Sequence, residues 1–458
     1  MKAKTKADSM CLKRCRQLFF LAAALALFVG QPGWLANAAA QTQYDYINIS
    51  DPFLNKIPVA VPVFKQMSES PAEADLARRA ADLLTAGLDY TGYFKLIDRG
   101  AYLEDLQEKG IVASALNFGN WTDIGAELLV TGGLWRTDGS VRLEMRLFDT
   151  FKGEMLFGKR YGGSPDNLRQ MVHRFCDEMV YRLTGKRGLF ASRIVFISKN
   201  EGKSRIYTCA FDGHGPRQII QGNDIILFPS WSPDGRTIAY TSYARGNPEI
   251  VIREIESGST RRIGYEGVNI TPTWLPDSGG KLAATLSTSG DEEIYLLTPS
   301  GKIDKKLTDS WGIDVSPSFS PDGRQMAFVS KRAGSPQIYI KQLKSGEVRR
   351  LTFEGSYNTE PDWSPAGDKI VYSSMNGGQA DICVIGVDGE GREQLTRGAG
   401  SNESPTWSPD GSLIAFSSTR TGTAKLYVMT ASGTDQRQLL DMPGQQLLPD
   451  WSPTLTAD

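Results

Sequence analysis

The sequence predicts a mainly β chain: a six-bladed β-propeller preceded by a small α/β domain. Two observations carry the propeller and one carries the domain in front of it. A Pro-x-Trp/Phe-Ser-Pro motif returns six times, two of the copies weaker, in the C-terminal part of the chain, and two core positions recur there every 44 residues. Ahead of that array the period is absent, and apolar residues fall at helical spacing in two segments.

The motif is Pro-x-Trp/Phe-Ser-Pro-Asp-Gly. It stands at Pro229-Ser-Trp231-Ser-Pro-Asp-Gly235, Pro317-Ser-Phe319-Ser-Pro-Asp-Gly323, Pro361-Asp-Trp363-Ser-Pro-Ala-Gly367 and Pro405-Thr-Trp407-Ser-Pro-Asp-Gly411. Weaker copies are Pro272-Thr-Trp274-Leu-Pro-Asp277 and Pro449-Asp-Trp451-Ser-Pro453. One apolar site recurs at Val195, Ala239, Ala283, Ala327, Val371 and Ala415, and a second at Tyr207, Val251, Tyr295, Tyr339, Cys383 and Tyr427. Cys383 therefore occupies a core position and is not read as a nucleophile.

Each repeat reads as four short strands. The first ends at the Trp, and Ser-Pro-Asp-Gly makes a tight turn, because Pro presets φ and Gly accepts a positive φ. A second strand follows, as at 237–242 or 413–418. The third is 337–343 or 425–430, and Gly-containing loops lead to a short fourth, such as 349–352. Four antiparallel strands every 40–50 residues describe a propeller blade. The first unit, 192–220, has three strands and no preceding motif, and 447–453 supplies one strand. Together they complete one blade and tie the ring shut, which leaves no sheet edge open.

The expected division is a signal peptide at 1–40, an α/β domain at 41–188 with an N-terminal arm at 41–56, and the propeller at 189–458. Lys2, Lys4, Lys6, Lys13, Arg14 and Arg16 precede an apolar run at 18–29. Ala38 and Ala40 sit at the −3 and −1 positions, so cleavage is expected after Ala40. The run is too short to span a bilayer, which needs about 20 apolar residues. No membrane insertion is expected after cleavage. Losing those six bases and one acid, Asp8, leaves 45 basic and 51 acidic residues, a net charge of −6. No basic block remains, which argues against nucleic acid as a partner.

Within the α/β domain, 57–64 reads as a strand and 74–88 as a helix carrying Leu76, Ala80, Leu83, Leu84 and Leu88 on one stripe. Three strands follow at 127–135, 141–149 and 154–161. A long helix runs from Leu168 to Leu183, with Gly185 as its C-cap. The link 185–192 is short, so the two domains are expected to pack together.

Chemistry is sparse. The three cysteines beyond residue 40, Cys176, Cys209 and Cys383, match no metal or disulfide spacing and read as buried thiols. His173 is placed on the polar side of the long helix and His214 in a Gly-rich turn, both as solvated surface residues. No zinc site can be built from them. There is no Gly-x-Ser-x-Gly elbow of a propeller-linked peptidase. The run Gly153 to Arg160 resembles a phosphate loop but alternates as a strand and has Arg160 where Ser or Thr is required. Asp234, Asp322 and Asp410 recur as turn residues. No catalytic, metal or cofactor site is predicted.

A binding surface remains. Loops that lead into the innermost strands ring one mouth of a propeller's channel. Three residues before the repeat proline stand Asn269, Asp314, Asn358, Asn402 and Gln446, with Thr271, Ser316, Thr359, Glu360, Glu403 and Ser404 beside them. This ring of amides, hydroxyls and acids suits hydrogen bonding to a protein loop. The alternative is a propeller that binds or processes a glycan or small molecule.

The junction Leu183-Thr-Gly-Lys-Arg-Gly-Leu-Phe190 leading into Ser192-Arg-Ile-Val195, the segment Asn358-Thr-Glu-Pro361 before Trp363-Ser-Pro365, and Ser373-Ser-Met-Asn-Gly-Gly378 carry a further resemblance. With the signal peptide, the front domain and the six motifs, the whole chain resembles the TolB family. That resemblance implies a monomeric, non-catalytic periplasmic protein of a Gram-negative cell's Tol-Pal system, which maintains outer-membrane integrity and supports constriction at division. It implies docking of the peptidoglycan-associated lipoprotein Pal at the propeller mouth, with Asn269, Thr271 and Thr359 at the matching positions. It implies contact of the arm, including Tyr44, Asp45, Tyr46, Ile47 and Ile49, with the inner-membrane protein TolA and through it other Tol-Pal components. The chain departs from the family at 268–271, where some members carry a histidine, and in the arm, which lacks the usual apolar-acidic pattern.

Overall fold

The computed structural model describes residues 56–68, 71–137, 139–222 and 224–455. The expected cleavage site at Ala40 and the arm residues Tyr44, Asp45, Tyr46, Ile47 and Ile49 lie outside them. In the front domain, β1 (Ile57–Ala60), β2 (Lys65–Gln66), β3 (Phe94–Leu96), β4 (Leu128–Thr137), β5 (Ser140–Asp149) and β6 (Glu154–Gly163) form one mixed sheet in which β3, β1, β4, β5 and β6 are neighbours and β2 pairs with β4. Strand β1 is shorter than its apolar run because Pro62 has no N–H to give a neighbour.

Helix α1 (Pro71–Tyr90) buries Leu76, Ala77, Ala80, Leu84 and Leu88. Its Glu73 is buried and accepts the backbone N–H groups of Met67, Ser68 and Arg136 at 2.7, 2.7 and 3.0 Å, which fixes the helix start to the sheet. A short helix, α2 (Phe118–Asp123), packs Trp121 over the other face of the sheet. Helix α3 (Leu168–Thr184) ends where Gly185 takes φ 75° and donates to the Tyr181 carbonyl at 2.7 Å, a conformation that favours glycine.

The propeller comprises six four-stranded antiparallel sheets. Five run consecutively, with innermost strands Ile226–Trp231, Asn269–Trp274, Asp314–Phe319, Tyr357–Trp363 and Asn402–Trp407. The sixth is composite: Gln445–Trp451 pairs with Arg193–Asn200, which continues to Lys203–Ala210 and Arg217–Gln221. The ring thus closes with strands from both ends of the array. The recurring positions Val195, Ala239, Ala283, Ala327, Val371 and Ala415 are fully buried between blades. The motif aspartates close turns: Asp234 accepts from Ser232 Oγ at 2.5 Å and from the Arg236 N–H at 3.0 Å, with Gly235 at φ 67°. Asp322 and Asp410 repeat the pattern.

Further bonds join blade to blade. At four of the six junctions the backbone N–H of the motif Trp reaches the residue after the repeat proline in the preceding blade. Trp231 donates to Asp450 (2.7 Å), Trp363 to Ser318 (3.0 Å), Trp407 to Asp362 (2.8 Å) and Trp451 to Thr406 (3.2 Å).

The two domains share one core. Residues of α1 and α3 pack with Phe190, Ile194, Phe196, Cys209, Phe211, Leu439 and Trp451. The Tyr90 hydroxyl donates to the Phe211 carbonyl at 3.1 Å, the Arg437 guanidinium lies 3.9 Å over the Tyr90 ring, and Lys56 pairs with Asp435. At Gly188 (φ 106°) an added Cβ would lie 1.7 Å from Thr454 Oγ1, so only glycine lets the linker pass the chain's final segment.

His173 does not sit on a solvated face, as the sequence predicts. It is 9 % exposed, with ring centroids 5.2 Å from Phe211 and 5.6 Å from Phe190. Helix α3 has two buried faces, one against its own sheet and one against the propeller. Burial, with the Arg169 charge adding to it, pushes its pKa down to about 4. His214 is exposed as expected, and Cys176, Cys209 and Cys383 are buried free thiols.

Candidate functional site

The channel along the propeller axis holds a cavity of about 140 Å³ lined by the repeat prolines and the residues on either side of them. The upper tier comprises Phe228, Thr271, Ser316, Glu360, Ser404 and Leu448, each directly before a repeat proline. All six have positive φ, between 50° and 55°. The pairing register of every innermost strand shifts here, as between Leu227 and Ser230 or Thr359 and Asp362. A bulge bends the strand and re-aims one side chain. A left-handed conformation costs a non-glycine residue on the order of 1–3 kcal/mol, and it recurs in all six blades.

The lower tier comprises Ser230, Thr273, Ser318, Asp362, Thr406 and Asp450. Desolvation pushes Asp362 up to about 6. Asp450 rises to about 8, chiefly by burial, with the Asp362 charge adding to it. In the upper tier Glu360 is also raised by burial. It accepts from the Ser404 N–H (2.8 Å), Ser404 Oγ (2.9 Å) and Ser373 Oγ (2.8 Å). These carboxylates are engaged in joining neighbouring blades. In the upper tier, Phe228 and Leu448 make one side apolar, while Ser316, Glu360 and Ser404 make the other polar.

Loops into the innermost strands and the hairpins between second and third strands meet at one end of the ring, as the Lys331 N–H to Ile313 carbonyl bond (3.0 Å) shows. The front domain packs at the other end, against turns such as the one carrying Phe211, so the mouth faces away from it.

The predicted mouth residues divide. Asn269, Asp314, Asn358, Asn402 and Gln446 are not a solvent-facing ring: each is at most 1 % exposed. Asn269 Nδ2 donates to the carbonyls of Tyr265 (2.7 Å) and Gly267 (3.1 Å), and its Oδ1 accepts from the Tyr265 N–H (2.8 Å). Asn358 bonds to the Glu354 carbonyl, Asn402 to that of Gly400, and Gln446 to those of Met442, Pro443 and Gly444. Asp314 pairs with Arg332 at 2.8 Å. The loops fold back over these side chains, which supply the partners that buried loop backbone requires. Thr271 is buried and bonded to Thr285 Oγ1 at 2.9 Å. Ser316, Thr359, Glu360 and Ser404 are half-buried, and Glu403 is exposed.

Sequence reasoning missed the lower-tier acids Asp362 and Asp450 and the apolar Phe228 and Leu448. Their fixed offsets from the repeat proline were the available signal. It also missed two exposed aromatics on mouth loops, Trp311 (73 %) and Phe353 (73 %), and a third, Tyr357 (43 %), at the start of an innermost strand.

Comparison with known proteins agrees with this architecture. Residues 180–455 match the family model of the TolB beta propeller domain, and residues 45–156 match that of the TolB amino-terminal domain. The "Tol-Pal system protein TolB" of Desulfosudis oleivorans is 50% identical over 288 residues, which are 63% of this chain and 64% of that protein. The "Protein TolB homolog" of Chlorobium chlorochromatii is 44% identical over 257 residues, 56% of this chain and 58% of that protein. The chain thus spans somewhat less than two thirds of the length of these curated relatives. The crystal structure of TolB from Acinetobacter baumannii superposes with a TM-score of 0.77 at 25% identity, covering 87% of this chain and 97% of that one. With the propeller model matched across all six blades and the amino-terminal model matched ahead of them, the chain belongs to the TolB family.

Proposed function

We propose that this chain is a non-catalytic, periplasmic protein-binding component of a Tol-Pal system. In this reading its propeller mouth docks the lipoprotein Pal, and its arm, with Tyr44, Asp45, Tyr46, Ile47 and Ile49, engages TolA. By linking the two it serves outer-membrane integrity and constriction at division. The observation that carries the reading is the mouth itself: it opens away from the front domain, and its channel carboxylates are occupied in holding blades together. The Desulfosudis relative, a Tol-Pal system protein, supports the same system. Contact falls to the accessible positions Ser316, Thr359, Glu403 and Ser404, while Glu360 bridges two blades and Asn269, Thr271, Asp314, Asn358, Asn402 and Gln446 hold the loops in shape.

The test is calorimetry of the chain from residue 41 against the soluble domain of its own cell's Pal. Binding is expected, with Thr359→Ala/Glu403→Ala weakening it at least about tenfold. Removal of residues 41–55 is expected to abolish TolA binding and leave the mouth competent to hold Pal. Undiminished Pal binding by the double variant would overturn the mouth assignment.

A further inference from the structure

We infer that Glu293 and Asp314, at the junction of the second and third blades, share one proton, and that this proton seals mouth loop 307–313 and leaves as pH rises. The inference does not depend on what the mouth binds. Glu293 lies on the strand Asp291–Leu297 of the second blade, and Asp314 opens the innermost strand of the third. Both are buried, 2 % and 0 % exposed. Each acid has one oxygen engaged. Glu293 Oε1 accepts the Ser310 N–H at 2.7 Å, and Asp314 Oδ2 accepts the Ser310 hydroxyl at 3.1 Å and the Arg332 guanidinium at 2.8 Å. The other two oxygens, Glu293 Oε2 and Asp314 Oδ1, are buried and accept no hydrogen bond among the described residues. Buried polar atoms left unpaired are rare, and each calls for a physical cause.

The next two junctions show what this one replaces. The equivalent pairs, each 44 residues further on, are Gln337 with Asn358 and Asp381 with Asn402. There an amide donates: Asn358 Nδ2 to Gln337 Oε1 at 2.8 Å, and Asn402 Nδ2 to Asp381 Oδ1 at 3.3 Å. Asn402 Oδ1 accepts from Arg420 at 3.0 Å, just as Asp314 Oδ2 accepts from Arg332. Asp314 Oδ1 therefore stands where Asn402 places its donor, and it turns an acceptor toward another acid. One proton on the pair restores the donor. Two carboxylates that face each other in a buried site hold a single proton between them because both cannot ionise.

The charges around the pair leave that need in place. Arg332 holds the outer oxygen of Asp314. Lys306 lies 3.8 Å from Glu293 Oε1 and is bonded to Asp309 at 2.6 Å. Lys341, on the third blade, is within electrostatic reach of both acids. Asp291 and Glu292, before Glu293 on its strand, add negative charge. Burial raises the Glu293 pKa and the Asp314 charge adds to it, against the Thr308 hydroxyl, the Ser310 N–H and Lys306. Ser310 ties the tip of loop 307–313 to both acids. Ionising both sets two buried like charges under the loop and favours its opening into water.

The test uses the chain from residue 41. Amide hydrogen exchange of 307–313 is followed between about pH 5 and 8, corrected for the intrinsic pH dependence of exchange, alongside a carboxyl-carbon NMR titration of Glu293 and Asp314. One of the two acids is expected to stay protonated well above the ordinary carboxylate range. Protection of the loop should fall with rising pH by up to about tenfold per pH unit, the limit for one linked proton. Asp314→Asn recreates the amide–acid pair of Asn402 and Asp381, and Glu293→Gln supplies the amide from the other side. Both variants should keep protection level across that range. Unchanged pH dependence in either variant, level protection in the unmodified chain, or ordinary titration of both carboxyls would each overturn the shared proton.

Discussion

Trp451→Ala tests whether the ring is held shut by its last strand. Trp451 is 6 % exposed and belongs to the core shared by the final blade and the front domain. Its indole N–H donates to Ser192 Oγ at 2.8 Å, joining the closing strand to the start of the array. Truncating a buried tryptophan costs about 3–5 kcal/mol. Ser192 keeps its bond to the Leu189 carbonyl, so the lost indole bond adds only about 1 kcal/mol. The sum, about 4–6 kcal/mol, is a large share of a typical domain's 5–15 kcal/mol. The assay is urea denaturation followed by circular dichroism. The control is Trp311→Ala, expected within about 0.5 kcal/mol of the unmodified chain because that ring is exposed. A loss below about 1 kcal/mol in Trp451→Ala would refute the role given to the closing strand.

Other outcomes follow from the same packing. Asp450 and Asp362 have raised pKa values in the fold, about 8 and about 6, so the folded chain binds more protons than the unfolded one between about pH 4 and 8. Stability should fall as pH rises through that window, and Asp450→Asn should remove most of the slope, read from urea midpoints at pH 5 and 8. His173 acts in the opposite sense: its pKa is lowered to about 4, so its contribution is present above about pH 6.5 and lost as pH falls toward 4. His173→Phe should flatten that acid limb between pH 6.5 and 4.5. Phe211→Ala removes a fully buried ring at the domain junction, and calorimetry should show about 3–5 kcal/mol lost and two transitions in place of one.

The propeller was legible because its period is long and its core positions keep strict register. Val195 and its five counterparts are buried as the 44-residue spacing implies. The closing strand was legible for the same reason, since 447–453 repeats the motif of an innermost strand. The channel was less so. Phe228, Thr271, Ser316, Glu360, Ser404 and Leu448 share no chemistry, and a bulge in the pairing, not a residue type, gives them their common left-handed geometry. Asn269 and its counterparts read as solvent-facing because they are polar and lie in loops; their amides are spent inside those loops. His173 was misplaced because a helical wheel reports one buried face, and the second exists only once the propeller docks on α3. Trp311 and Phe353 carry no periodic signal. Their meaning appears only with their exposure.

Hydrogen–deuterium exchange of the chain from residue 41, with and without the soluble Pal domain, tests the central claim most directly. The account predicts slowed exchange in mouth loops 307–316, 351–360 and 397–404, and unchanged exchange in the turns at the opposite end, such as 232–236 and 320–324. Protection confined to those turns or to the front domain would contradict it.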